Sequence, residues 1–98
     1  MNNNRGRILW VDDEIQHLKP HILFLKEKGY ELFKANNGQD AIALAKSNIF
    51  DLVLLDQSMP GMDGLKTLIE LKKIRQNQII IMITKTEDEW LMDEAINI

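Results

Sequence analysis

Three apolar runs in this sequence end on residues that can do chemistry. Ile8–Val11 runs into Asp12-Asp13-Glu14, the Leu52–Leu55 run ends at Asp56, and Ile79–Ile83 ends at Thr84. Carboxylates brought together repel one another, and a hard divalent cation removes that repulsion. Mg2+ takes oxygen ligands in an octahedron, keeps several waters, and is usually held by one or two carboxylates and a phosphate oxygen. A cluster of Asp12, Asp13 and Asp56 suits such an ion. Beside it Asp56 could act as a carboxylate nucleophile toward a phosphoryl donor, giving an aspartyl phosphate. The cation and nearby donors, the Thr84 hydroxyl among them, would stabilise charge on the phosphoryl oxygens.

That chemistry requires the three run ends to meet, so the elements between them matter. Ile8–Val11 reads as a buried strand. Ile15 to Lys28 follows with helical spacing of Leu18, Ile22 and Leu25. Pro20 either opens the well-formed helix as its first turn or kinks it. Gly29 is a C-cap candidate. Tyr30–Ala35 reads as a second strand, Asn36-Asn37-Gly38 as a turn, and Gln39–Ser47 as a small helix. Asp51–Leu55 reads as a third strand covered on both faces, because Leu52-Val53-Leu54-Leu55 does not alternate. After Pro60-Gly61, Leu65–Arg75 is a helix with Leu65, Leu68, Ile69 and Leu71 inward. Ile79–Ile83 is a fourth strand. Glu87–Ile98 begins another helix, with Thr86 as N-cap and Glu89 as its capping-box partner. The order β-α-β-α-β-α-β-α implies an α/β fold with a parallel sheet, helices on both faces and right-handed crossovers. Ligands of such sheets bind beyond the carboxyl ends of the strands, where the three acids and Thr84 fall.

Composition narrows the remaining classes. The 98 residues are one domain's length, with 45% apolar and 28% charged residues, which is a globular balance. The net charge of −3 and the lack of a basic run argue against nucleic-acid binding by this segment. With no cysteine, disulfides and thiolate metal sites are excluded. No apolar run approaches the ~20 residues of a membrane span, and the polar start, Met1 to Arg7, is not a secretory signal, so a cytoplasmic location is expected. His17 and His21 read as ordinary helix-face residues without a second ligand at metal-like spacing.

Taken singly, each feature has a plain structural reading. An Asp after a strand caps a turn, Asp12-Asp13-Glu14 complements a helix dipole, and Thr84 is a strand-end threonine. Their joint placement at the ends of strands one, three and four points instead to one site. Ile8-Leu9-Trp10-Val11-Asp12-Asp13-Glu14, the stretch from Asp51 through Asp56-Gln57-Ser58-Met59-Pro60-Gly61-Met62-Asp63-Gly64, and the Ile-rich run into Thr84 resemble the receiver domain of two-component response regulators. The resemblance covers the whole chain, residues 1–98, as a single receiver domain. It implies a flavodoxin-like doubly wound sheet of strand order 2-1-3-4. It also implies that Asp56 accepts a phosphoryl group from the phosphohistidine of a sensor histidine kinase. Asp13 would bind Mg2+ directly, Asp12 mainly through water, and Ser58 through its backbone carbonyl. Thr84 would move toward the phosphoryl group and couple it to the face of the fourth strand and fourth helix, which addresses an output domain or partner protein. A narrower resemblance rests on Trp10, the stretch Leu18-Lys19-Pro20-His21-Ile22-Leu23-Phe24-Leu25, and Met82-Ile83-Thr84-Lys85. It is to receivers that precede a PglZ-type, alkaline-phosphatase-like output domain linked to type IX secretion.

The sequence departs from the receiver pattern at its end, where the fifth strand, its phosphoryl-contacting lysine and the fifth helix are lacking. Lys85 is either a compensating cation or, on the better reading, a solvated loop lysine that narrows access to Asp56. An edge at so apolar a fourth strand is costly. Residues 1–98 are therefore expected to be part of a longer chain, or else to form a homodimer or domain swap that covers that strand. The leading expectation is a phosphorylation switch and not an enzyme in its own right. A receiver-fold interaction module without phosphotransfer is the alternative. A flavin protein is disfavoured because Asp12-Asp13-Glu14 has the wrong charge for a phosphate cradle. An Asp-nucleophile phosphatase is disfavoured because its acid, two residues after Asp12, would have to be Glu14.

Overall fold

The computed structural model of the chain describes residues 5–59 and 63–84. Four parallel strands form one sheet in the order β2-β1-β3-β4. They are β1 (Gly6–Val11), β2 (Tyr30–Ala35), β3 (Leu52–Asp56) and β4 (Ile80–Ile83), joined by α1 (Lys19–Glu27), α2 (Gly38–Ser47) and α3 (Gly64–Ile74). The strand order is the one expected. The helix expected over 87–98, with Thr86 and Glu89, and the residue Lys85 lie outside the described residues.

Side chains of a strand alternate between faces, and the two apolar clusters follow that alternation. Leu9, Val11, Val53, Leu55 and Met82 join Ala41, Ala45 and Leu71 in one cluster, under α2 and α3. Trp10 packs with Ile15 and Ile22 in the other, under α1, with Leu54 and Ile83 at its margin. The third strand is therefore less evenly covered than its unbroken apolar run implied. Val53 and Leu55 are fully buried, whereas Leu52 and Leu54, facing the α1 side, are half-buried. The difference is that two helices cover one face of the described sheet and α1 covers the other.

Local signals set the helix ends. A 3-10 turn over Ile15–Leu18 precedes α1, and Pro20 sits in the helix's first turn. There its missing N–H costs nothing and its fixed φ suits the helix, so no kink is needed. After α1, Gly29 takes a φ of 101° that a side chain would strain. The Asn36-Asn37-Gly38 turn is also a helix start. Asn37 is the N-cap of α2, its Oδ1 accepting from the Asp40 amide at 2.8 Å. Asp63 caps α3 in the same way, accepting from the Lys66 amide at 2.9 Å.

In α3 the inward stripe differs from expectation. Leu65 and Ile69 are 41% and 54% exposed, while Gly64, Thr67 and Leu71 are buried. Thr67 can face inward because its hydroxyl donates to the Asp63 carbonyl at 2.9 Å, which satisfies the one polar atom that burial would penalise. A small Gly64 and a compact Thr67 let the helix lie close to β3, and the bulkier Leu65 and Ile69 turn outward.

Candidate functional site

The carboxyl ends of β1 and β3 bring the site together. Val11 pairs with Leu55 across these strands, so the next residues, Asp12 and Asp56, are neighbours with side chains of the same parity. Both are 1% exposed. Asp13 follows in the loop and is half-buried. One carboxylate oxygen from each of Asp12, Asp13 and Asp56 falls in a group whose members all lie within 4.8 Å of one another. Among the described residues this is the one such cluster of three potential metal ligands.

Backbone amides hold two of the three carboxylates in place. Asp12 Oδ1 accepts from the Glu14 amide at 2.8 Å, and the Asp12 carbonyl accepts from the Ile15 amide at 3.1 Å, starting the 3-10 turn. The Asp12 amide in turn donates to the Ala35 carbonyl of β2 at 3.0 Å. Asp56 Oδ1 accepts from the Ser58 amide at 3.2 Å. Each is a short loop closing on its own aspartate, a turn to which Asp is suited.

The donor set is all oxygen, hard and anionic, which is the chemistry of Mg2+ or Ca2+ and not of softer ions. Opposite ligands of an octahedral Mg2+ stand about 4.2 Å apart. A spread within 4.8 Å thus closes on one ion with small side-chain adjustments.

Of the other expected site residues, Thr84 follows Ile83, which is paired with Asp56 across β3 and β4. Its Oγ1 is buried and has no hydrogen-bond partner among the described residues. Ser58 is placed beside Asp56 through its amide. The histidines stand apart from the cluster. His17 lies 3.7 Å from Glu14 on the surface, and His21 meets the Trp10 ring edge-on at 6.3 Å.

A strap that the sequence does not reveal closes the site. The Gln57 amide donates to the Ile83 carbonyl and its carbonyl accepts from the Gly64 amide, both at 2.9 Å. This one residue ties β3, β4 and the start of α3 together beside Asp56. A Cβ on Gly64 would stand 2.6 Å from Gln57 Cα and 2.7 Å from the Asp56 carbonyl oxygen. The sequence places Asp63-Gly64 in the loop before the helix and does not show the contact that excludes a side chain at position 64. A hollow of about 820 Å³ between α3 and β4, lined by residues including Leu68, Lys72 and Ile79, lies away from the three aspartates.

Comparison with known proteins gives a consistent result. The family model described as the response regulator receiver domain matches residues 8–98. The transcriptional regulatory protein SrrA of Staphylococcus aureus is 36% identical over 83 residues, which are 85% of this chain and 34% of SrrA. The chain thus spans about a third of that relative's length. The response regulator protein TrrA of Thermotoga maritima, solved with Mg2+ and beryllofluoride, superposes with a TM-score of 0.76 at 37% identity, covering 91% of this chain and 79% of TrrA. TrrA solved in complex with the histidine kinase ThkA superposes at 0.73, with 35% identity over 88% of this chain and 78% of that one.

Proposed function

From the premise that this chain belongs to the response regulator receiver domain family of two-component systems, we propose that it is a phosphorylation switch whose acceptor is Asp56. The carrying observation is the convergence of Asp12, Asp13 and Asp56 oxygens within 4.8 Å at the carboxyl edge of the sheet. In this reading a carboxylate oxygen of Asp56 attacks the phosphorus of a kinase phosphohistidine. The P–O bond forms, the P–N bond breaks, and the imidazole leaves. The partner is a sensor histidine kinase, as the solved pairing of TrrA with ThkA supports.

Asp13 and Asp56 would hold Mg2+ directly, Asp12 mainly through water, and the Ser58 carbonyl would complete the protein ligands. Bound there, the ion would reduce the repulsion among the three carboxylates and offset charge on the phosphoryl oxygens. The Ser58 amide orients Asp56 Oδ1, and the Glu14 amide fixes Asp12. Thr84 supplies a buried hydroxyl whose donor is unused among the described residues. Donating it to a phosphoryl oxygen would favour the modified state and bias the β4 face toward an output domain. The chain itself would catalyse no reaction but its own modification, and would act in the cytoplasm.

The test is incubation with acetyl phosphate in the presence and absence of Mg2+. The parent chain should gain a Mg2+-dependent phosphoryl adduct of roughly 80 Da, and Asp56→Asn should not. A folded parent with no adduct would sink the proposal in favour of a receiver-fold interaction module.

A further inference from the structure

Two helices of this protein start on a capping residue followed by glycine, Asn37-Gly38 and Asp63-Gly64, and they differ at the glycine amide. The Gly64 amide donates to the Gln57 carbonyl at 2.9 Å, whereas the Gly38 amide has no acceptor among the described residues. An engaged amide must first leave its acceptor before it can attack the side chain before it, and one that is not engaged is spared that step. Glycine also places no Cβ in the way of that attack. We propose that Asn37 is a site of spontaneous deamidation, gated by the N-terminal cap of α2, and that Asp63, in the matching position, is protected.

The Gly38 amide loses its proton to solvent base, and its nitrogen attacks Asn37 Cγ. The N–Cγ bond closes a five-membered succinimide while the Cγ–Nδ2 bond breaks, and Nδ2 leaves as ammonia with a proton from solvent. Water then opens the ring. Attack at Cγ gives aspartate at position 37, and attack at the backbone carbonyl carbon gives isoaspartate, with the chain running through the former side chain.

The gate is the cap itself. Asn37 Oδ1 accepts from the Asp40 amide at 2.8 Å, while Nδ2 donates to Asp40 Oδ2 at 2.9 Å and to Asn36 Oδ1 at 2.8 Å. Gly38 is buried as well. The reaction therefore runs through opening of the first turn of α2, a local and low-cost event at a helix end. The product alters the site's surroundings. The aspartate product would carry a carboxylate where Nδ2 now donates to the Asp40 carboxylate, and isoaspartate would add a backbone atom and remove the cap. Both changes fall two residues beyond Ala35, whose carbonyl holds the Asp12 amide.

The experiment is prolonged incubation of the full chain in mildly alkaline buffer, read by intact mass, peptide mapping and isoaspartate-specific methylation. Position 37 should convert first, faster at higher pH, with no isoaspartate at position 63. Asp40→Ala, which removes one gating bond, should speed conversion about fivefold, the factor to which ~1 kcal/mol of cap stability converts. A free peptide spanning residues 34–42 should convert faster still, whether or not the variant folds. Asn37 outlasting the other asparagines, isoaspartate at position 63 appearing as quickly, or a folded Asp40→Ala variant reacting at the parent rate would each overturn the proposal.

Discussion

Gly64→Ala is the substitution whose effect can be worked most fully. Gly64 does not have a positive φ, so its requirement is one of space and not of backbone conformation. An added Cβ would stand 2.6 Å from Gln57 Cα, 2.7 Å from the Asp56 carbonyl oxygen and 2.9 Å from Met82 Cε. Ordinary carbon contacts lie at about 3.5–4.0 Å, so relief requires movement approaching ~1 Å. Met82 can swing away, but the other two atoms are backbone at the end of β3, held by the Gln57–Ile83 bond at 2.9 Å. Alanine gains up to about 1 kcal/mol over glycine inside a helix, and less in a first turn. Against that stand about 1–3 kcal/mol of overpacking and about 1 kcal/mol for disturbing the Gly64–Gln57 hydrogen bond. The clash wins, by about 1–3 kcal/mol. At roughly 4–8 °C per kcal/mol for a chain of this size, Tm should fall by roughly 5–20 °C in a circular-dichroism melt. Any remaining folded protein should bind beryllofluoride more weakly, because the backbone that moves is that of Asp56. A variant that melts at or above the parent temperature would show that helix propensity outweighs the clash.

Three further outcomes follow from the same geometry. Mg2+ at about a hundred times its Kd should raise stability by about 2.7 kcal/mol, and chelation or Asp13→Asn should abolish that gain in thermal melts. Thr84→Val should leave the resting protein as stable or up to about 1 kcal/mol more stable in urea, because it removes a buried hydroxyl without a partner among the described residues. The same variant should hold beryllofluoride less tightly. Arg75→Met should cost about 1–2 kcal/mol in urea, because Arg75 Nη1 donates to the Ala45 carbonyl at 2.6 Å and joins the ends of α3 and α2. It should leave the beryllofluoride titration unchanged, and a shift there would show that the far end of the helix pair feeds the site.

The elements were legible because their apolar runs are short, end in polar residues and alternate with helical spacing. The acid cluster was legible because all three acids fall at the carboxyl ends of strands, where ligands of parallel sheets bind, and the receiver resemblance implied the order that makes the first and third strands neighbours. Three features escaped. The inward face of α3 was misread because Leu65 and Ile69 outrank Thr67 in hydrophobicity, and only the bond from Thr67 to the Asp63 carbonyl makes the threonine a core residue. The cap at Asn37 was read as a turn because asparagine followed by glycine signals both, and the choice depends on whether a helix follows at once. The uneven covering of β3 escaped because an unbroken run of leucine and valine shows that both faces can be covered, not how many helices cover each.

What places Asp12 beside Asp56 lies at the opposite end of their strands. The Arg7 amide donates to Asp51 Oδ2 at 2.7 Å, and the Asp51 amide donates to the Arg7 carbonyl at 2.9 Å. This reciprocal pair sets β3 against β1, and the ladder runs in register from Ile8–Leu52 to Val11–Leu55. Gly6 allows it, since a Cβ there would meet Asp51 Oδ2 at 3.0 Å and its φ of 145° disfavours a side chain. Arg7 and Asp51 are each five residues before the site aspartate of their own strand, so equal spacing carries the lock through to the carboxylates. A slip of one residue would reverse the parity of one strand against the other. It would send Asp12 and Asp56 to opposite faces while burying a similar amount of apolar surface, because Leu52–Leu55 is apolar on both faces. Burial alone therefore does not distinguish a site with three converging carboxylates from one with two. The Arg7–Asp51 pair makes that distinction, which gives an acidic residue far from the chemistry a defined part in building it.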